Sequence, residues 1–174
     1  MPLPLPIHGD RFTLRDVVAA DAASLAAIEF DVDVKRYLSI PAGSPSEWQS
    51  NFQPDLFRAM AIDVNGDVVG RASLTRAARK GDAELAIVIA RGHWGTGLGR
   101  RVAQELIRSA FEHLNAKTLI GIVHPEHRAS LALLRSFRFR RRGKIQAPCE
   151  NWQCGHLIYR LTKNAYLSNS TTRN

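Results

Sequence analysis

The spacing of apolar residues changes several times along the chain, and each change marks an expected element. Residues 11–15 alternate polar and apolar side chains, as a half-buried strand does. Asp21 can then cap a helix, because apolar residues follow it at helical spacing at Ala22, Leu25 and Ile28. The pattern therefore predicts a strand followed by a helix.

Two more helices are expected before residue 59. Residues 33–38 have the composition of a short helix, which stops before a loop containing proline and glycine at 41–45. Ser46 is a candidate cap for the next helix, and Pro54 would interrupt or bend that helix. This third helix would carry the aromatic residues Trp48, Phe52 and Phe57.

The period of the apolar residues changes to two after residue 59. Residues 59–64 and 68–74 flank Asn65-Gly66-Asp67, a strong signal for a β-hairpin. A second turn at residues 80–82 leads into the apolar segment 83–90. Three consecutive antiparallel strands are therefore expected.

The second half of the chain alternates helices and strands. One stripe of apolar residues predicts an amphipathic helix over 100–114, and the apolar run 118–123 predicts a buried strand. A helix over 127–137 and strands near 139–145 and 152–161 follow. Residues 168–174 have little to bury and are expected to be loose.

Composition narrows the class of protein but does not name a partner. The chain has 174 residues, 45% hydrophobic and 23% charged, which suits one soluble globular domain. No apolar run is long enough to span a membrane, so a cytoplasmic location is expected. Cys149 and Cys154 lack the spacing of a zinc or redox motif. The net charge of +8 favours phosphates, nucleic acids or acidic surfaces without choosing among them.

The segment between the third strand and the long helix carries the most specific chemistry. Glycines occupy positions 95, 97 and 99, directly before the predicted helix. The first amides of a helix and the positive end of its dipole bind phosphate oxygens, and glycine lets the backbone approach a ligand closely. Arg100 and Arg101 add positive charge there. A connecting loop without a ligand is the alternative.

Two common phosphate-binding motifs do not fit this segment. A Walker loop requires Gly-Lys followed by Ser or Thr, whereas Gly99 is followed by Arg100. A Rossmann fingerprint lies on the first strand of a parallel unit and is followed by an acidic residue at the end of the next strand. Here hairpin strands precede the loop, and the strand 118–123 ends without a carboxylate.

Residues 94–99, Trp-Gly-Thr-Gly-Leu-Gly, resemble the R/Q-x-x-G-x-G/A coenzyme A motif of the GNAT acetyltransferases. The tryptophan is similar to the W-G variant in the RimJ and RimL branch, which acetylates ribosomal-protein N-termini. A second motif of that branch, P-x-N-x-x-S-x-x-L followed by G-F, resembles residues 125–133 and 138–139. His127 stands in place of the family asparagine, and Arg138 replaces the glycine. The resemblance covers residues 10–163.

The resemblance implies the fold, the co-substrate and the general class of acceptor. The implied fold is α/β (α+β): a single GNAT-like domain over 7–165, with a mixed, mostly antiparallel sheet of six or seven strands flanked by helices on both faces. A flexible tail would occupy 166–174. The implied reaction uses acetyl-CoA without a metal and acetylates a primary amine, of a protein N-terminus or a small molecule. A monomer or homodimer is expected.

The resemblance also implies which residues contact the co-substrate. Backbone amides near the end of the third antiparallel strand would bind the pantetheine arm and polarise the carbonyl, and the glycine segment would bind the diphosphate. The implied cofactor-binding residues are Ile87, Val88, Ile89, Trp94, Gly95, Thr96, Gly97, Leu98, Gly99, Arg100, His127 and Ser130.

Two residues are candidates for catalysis by direct attack of the amine. Glu84 lies on the strand before the loop, where family members often have a general base acting through water, and an apolar environment would raise its pKa. An outward-facing strand residue is the alternative. Ser130 matches a serine placed near the thiolate as proton donor or ligand, although it can equally satisfy backbone groups at a helix start. The tyrosine acid of many GNAT enzymes is replaced by Leu134.

Other functions remain open on the sequence alone. A non-catalytic acyl-CoA-binding or sensor protein would keep the fold and lose the chemistry. A nucleic-acid-binding protein would use the basic run 138–142, although alternating arginines on an edge strand are more often a solvated face. His93 lacks a partner in sequence and is expected to be solvated. Residues 34–57 and 146–156 are expected to line the acceptor pocket.

Overall fold

The computed structural model describes residues 3–38, 43–53, 59–146 and 155–170. Its helices are α1 (Ala22–Phe30), α2 (Val32–Lys35), α3 (Pro45–Ser50), α4 (Leu98–Glu112), α5 (Arg128–Ser136) and α6 (Lys163–Ser170). Its strands are β1 (Ile7–Gly9), β2 (Phe12–Asp16), β3 (Met60–Val64), β4 (Asp67–Arg76), β5 (Asp82–Ile89), β6 (Thr118–Val123), β7 (Arg140–Lys144) and β8 (Leu157–Thr162). Among the described residues, no helix is long and apolar enough to cross a membrane.

The strands form one mixed sheet of eight strands in the order β1-β2-β3-β4-β5-β6-β8-β7. The pairs β1–β2, β2–β3, β3–β4, β6–β8 and β7–β8 are antiparallel. The β5–β6 pair is parallel, and α4 connects these two strands along the chain. The predicted mixed α/β fold is thus confirmed. The sheet has one strand more than the upper estimate, because residues 7–9 form β1.

Several predicted boundaries were wrong for local reasons. Ser44, not Ser46, caps α3: its hydroxyl accepts from the amide of Glu47, and the Glu47 carboxylate accepts from the amide of Ser44. Pro45 then occupies the first helical position, where a missing N–H does no harm. Phe52 lies beyond the end of α3 at Ser50.

Other predicted features can be placed only in part. The short helix α2 ends at Lys35, three residues before its predicted end at Leu38. The predicted tail begins at residue 166, within α6. Pro54, Phe57, Cys149, Trp152 and Cys154 lie outside the described residues.

The chain divides into two compact units, whose boundary passes through β4, β5 and α4. One unit contains Pro2–Ser73 and Ala86–Leu106, and the other contains Leu74–Leu85 and Ile107–Asn174. Each has an apolar core of fully buried side chains. These include Leu14, Leu25, Ile62, Val102 and Leu106 in the first unit, and Phe111, Leu119 and Leu161 in the second.

A network of charges fixes the start of α1 in the first unit. Asp21 occupies the cap position, as predicted, but its carboxylate accepts from Arg15 at 2.8 and 3.0 Å and from the amide of Val18 at 2.9 Å. Arg15 also donates to Asp63 on β3 at 3.0 Å. The hydrogen bonds from Arg15 hold the pKa of Asp21 below its usual value.

We expect Asp21→Asn to lower the free energy of unfolding by about 2 kcal/mol at pH 7, because the substitution removes a buried charge partner of Arg15. The lowered pKa means that the carboxylate contributes fully above roughly pH 4 and loses its contribution as the pH falls through the folded-state pKa. The difference in the free energy of unfolding between wild type and Asp21→Asn, measured by urea denaturation, should therefore become smaller as the pH is lowered.

Asp16→Asn is the matched control for this prediction. Asp16 is exposed and contacts Arg15 through its backbone carbonyl, so the substitution should change stability by less than about 0.5 kcal/mol. An equal loss in both variants, or a deficit in Asp21→Asn that does not change with pH, would contradict the assignment.

Candidate active site

The backbone between β5 and α4 adopts conformations that favour glycine. Gly95 has φ 75° and Gly97 has φ 80°, both in the left-handed region that side chains strain. A Cβ built on Gly95 would meet no atom within 4 Å, so open space borders the loop at that residue. The predicted helix begins at Leu98, directly after the second of these glycines.

Side chains of the segment itself hold this loop in place. The indole Nε1 of Trp94 donates to the carbonyl of Ile89 at 2.8 Å, which ties the loop to the end of β5. The hydroxyl of Thr96 donates to the carbonyl of His93 at 2.8 Å. Arg101 donates to the carbonyls of Thr96 at 3.2 Å and of Asp10 at 3.0 Å. The shape of the loop is therefore supported by the chain's own hydrogen bonds.

Backbone donors at the start of α4 point to an anion-binding function. The amides of Arg100 and Arg101 both donate to the carbonyl of Gly97. Within the described part of the chain, the amides of Gly95, Gly97 and Gly99 have no acceptor. Such donors, the helix dipole and the exposed Arg100 side chain fit a diphosphate.

At the end of β5, backbone groups are better placed than side chains to contact a co-substrate. Val88 is buried and packs with Ile28 of α1 and Val34 of α2, whereas Ile87 and Ile89 are half-buried. The carbonyl of Ile89 already accepts from Trp94. The predicted co-substrate contacts of this segment would therefore come mainly from backbone amides.

Glu84 lies near the start of the same strand, in the second unit. It is half-buried, and burial alone raises its pKa above the usual range for a glutamate. Among the described residues it forms no ion pair that would oppose this effect. A carboxyl group with a raised pKa can exchange protons closer to neutral pH.

His127 caps α5, a role that the sequence analysis missed. Its Nδ1 accepts from the amide of Ser130 at 3.4 Å, and burial and the nearby His124 lower its pKa. Neutral imidazole with Nδ1 as acceptor carries its proton on Nε2, so the ring keeps a donor. The hydroxyl of half-buried Ser130 has no partner among the described residues.

Comparison with known proteins identifies the family. The profile of the acetyltransferase (GNAT) domain matches residues 11–140. This chain belongs to the GNAT acetyltransferase family. Membership implies acyl transfer from acetyl-CoA, and the glycine loop lies within the matched residues.

Individual relatives agree with this assignment. The uncharacterized N-acetyltransferase p20 of Bacillus licheniformis is 27% identical over 151 residues, which cover 80% of this chain and 85% of p20. The acetyltransferase (GNAT family) of Bacillus anthracis has a TM-score of 0.79 at 16% identity, over 92% of this chain and 99% of that one. RimJ of Mycobacterium smegmatis, solved with CoA-disulfide, has a TM-score of 0.72 at 18% identity, over 93% and 90%. This chain shares the fold of both solved structures.

Arg138, the second departure from the GNAT motif, sits where the backbone favours glycine. Its φ is 64°, and it follows the end of α5. The amide of Arg138 donates to the carbonyl of Arg135, and that of Phe139 donates to the carbonyl of Leu134. This pair of bonds is a Schellman motif, whose left-handed residue is usually glycine. The arginine keeps the motif at a cost in backbone strain.

No group of three or more His, Cys, Asp or Glu residues in the described ranges could hold a metal ion. His93 is half-buried beside the loop, where its carbonyl accepts from Thr96. Arg140, Arg141 and Arg142 are exposed on β7.

We expect Arg138→Gly to raise the free energy of unfolding by about 1 kcal/mol, because glycine adopts a left-handed conformation without strain. Chemical denaturation at pH 7 measures the change. Arg138→Ala removes the same charge but keeps the Cβ, so it should bring no gain. If the free energy of unfolding rose equally in both variants, the loss of the positive charge, and not the relief of backbone strain, would explain the effect.

We expect Gly95→Ala to weaken the binding of CoA about tenfold, because a methyl group would occupy open space beside the donor amides and strain the loop. Titration calorimetry with CoA measures the dissociation constant. Gly66→Ala is the matched control: Gly66 has φ 93° and open space around it, but it lies in the β3–β4 turn. Equal affinity in the two variants would contradict a role of the loop in CoA binding.

Proposed function

We propose that this chain is an N-acetyltransferase that moves the acetyl group of acetyl-CoA to a primary amine by direct attack. The observation that carries the proposal is the glycine loop, with its three amides lacking an acceptor among the described residues, at the start of α4. The half-buried Glu84 on the strand that leads into this loop supports it. The acceptor is the N-terminus of a protein or a small-molecule amine.

The co-substrate contacts are proposed residue by residue. The amides of Gly95, Thr96, Gly97, Leu98 and Gly99, with Arg100, bind the diphosphate. Backbone amides over 87–89 bind the pantetheine arm. Trp94 positions the loop through Ile89, and Nε2 of His127 supplies the hydrogen bond that the family asparagine supplies.

Acetyl-CoA supplies an activated thioester carbonyl. Glu84, acting through a water molecule, accepts the proton that the amine loses as its nitrogen forms the C–N bond. The C–S bond breaks, and CoA leaves as a thiolate that accepts a hydrogen bond from the Ser130 hydroxyl. The proton therefore ends on Glu84, and no acyl-enzyme forms.

The class of acceptor is proposed from the resemblance to the RimJ and RimL branch. The fold is shared with RimJ, and the W-G motif resembles that branch, which favours a protein N-terminus. The name of p20 specifies N-acetyl transfer and no acceptor. We place the reaction in the cytoplasm, with a monomer or homodimer as the acting species.

We expect Glu84→Gln to lower kcat by about 10²–10⁴-fold, because glutamine cannot accept the amine proton. Release of CoA thiol from acetyl-CoA with a panel of amines measures turnover. Burial raises the pKa of Glu84, so wild-type activity should fall on acidification with a midpoint above the ordinary value of about 4.3. The variant should lose this limb of the pH profile.

Glu112→Gln is the matched control, because Glu112 is an exposed glutamate at the end of α4. Its kcat should remain within about twofold of wild type. Tight CoA binding without turnover of any amine would contradict the enzymatic proposal and would select a non-catalytic acyl-CoA-binding protein.

A further inference from the structure

The register of four strands places charged residues in one row across the sheet. Glu84 of β5 pairs with Ile120 of β6, Ile120 pairs with Arg160 of β8, and Arg160 pairs with Arg140 of β7. Directly paired residues of neighbouring strands point to the same face of a sheet. Glu84, Ile120, Arg160 and Arg140 therefore share one face, within the second unit.

This face is opposite to the one that packs on α5. A Cβ on Gly121 would lie 2.9 Å from a side-chain carbon of Leu134 on α5, so Gly121 faces that helix. Tyr159, which pairs with Gly121, accepts from Arg135 of α5 at 3.5 Å. Because side chains alternate along a strand, Ile120 and Arg160 face away from α5, and so does Glu84.

Arg160 has an unsatisfied donor on this face. Its Nε is buried and has no hydrogen-bond acceptor among the described residues, and it forms no ion pair there. Asp82 lies on the same face, two residues before Glu84 on β5. It pairs with Thr118, so it is not in the row of paired residues that contains Arg160. Buried donors of arginine are normally satisfied, so an acceptor other than the described residues is indicated.

We propose that Arg160 determines acceptor specificity by binding an oxyanion of the acceptor, a carboxylate or a phosphate. Two strand spacings separate Glu84 from Arg160, or about 10 Å between their Cα atoms. An amine beside Glu84 and an oxyanion at Arg160 would thus belong to one molecule of modest length. Planar guanidinium binds such a group through two parallel hydrogen bonds, which lysine cannot reproduce.

This inference rests on the proposed function, since Glu84 marks the position of the reacting amine. It narrows the acceptor to amines with a negatively charged group. Arg140 pairs with Arg160 and is exposed on β7, the edge strand of the sheet. The proposed contact between Arg160 and the oxyanion does not require it. It therefore offers a matched arginine in the test.

The experiment compares three acceptors of similar length: 6-aminohexanoate, 5-aminopentyl phosphate and the neutral 6-aminohexanamide. We expect wild type to prefer at least one anionic acceptor over the amide by about 10- to 100-fold in kcat/KM, mainly through KM. The ratio should fall to near one in Arg160→Gln, recover partly in Arg160→Lys and stay at the wild-type level in Arg140→Gln. The favoured anion distinguishes a carboxylate from a phosphate.

A binding measurement keeps the proposal testable without turnover. Calorimetry is carried out with CoA present, because CoA cannot transfer an acetyl group. Wild type and Arg140→Gln should bind the favoured anion, 6-aminohexanoate or 5-aminopentyl phosphate, more tightly than 6-aminohexanamide. Arg160→Gln should bind the anion and the amide with similar affinity.

Absence of thiol release with every amine would overturn the proposed function and leave this binding comparison standing. Equal binding of anionic and neutral ligands by wild type would overturn the role of Arg160. An equal loss of affinity for both ligands in a folded Arg160→Gln would also overturn it.

Discussion

The left-handed backbone between β5 and α4 is the constraint on which the proposed reaction depends. A residue with a Cβ would be strained by about 1–2 kcal/mol at each of Gly95 and Gly97. Glycine removes this strain, and the bonds from Trp94 and Thr96 hold the resulting turn. The amides at the start of α4 are thus aligned by the fold itself, so binding need not order them.

Two carboxylates of the chain show how environment separates structural from chemical roles. Asp21 is buried against Arg15, whose hydrogen bonds outweigh the desolvation and lower its pKa. Glu84 is half-buried and has no such partner among the described residues, so desolvation raises its pKa. The first stays charged and fixes the chain, whereas the second can take up a proton. Burial alone would not have distinguished them; the presence of a cationic partner does.

The sequence predicted those strands, helices and loops whose signals come from residues close together in the chain. Alternation indicated β3, β4 and β5, the apolar stripe indicated α4, and the glycine spacing indicated the loop, because these signals lie within a few residues. The cap at Ser44 depended on which of two serines precedes a proline at the first helical position. The cap at His127 and the buried Nε of Arg160 depended on three-dimensional neighbours. No local pattern marks Arg160, because its position relative to Glu84 is set by the register of three strands.

That register also explains how one sheet serves packing and chemistry together. Along β6 and β8, Gly121 and Tyr159 face α5, while their neighbours Ile120 and Arg160 face the other side. A slip of one residue between β6 and β8 would turn Arg160 toward α5 and bring Tyr159 onto the face of Glu84. The close approach of Gly121 to Leu134 fixes the face of β6 against α5, and the hydrogen bond from Arg135 to Tyr159 fixes that of β8. The packing of α5 therefore fixes which side chains reach the proposed reaction face.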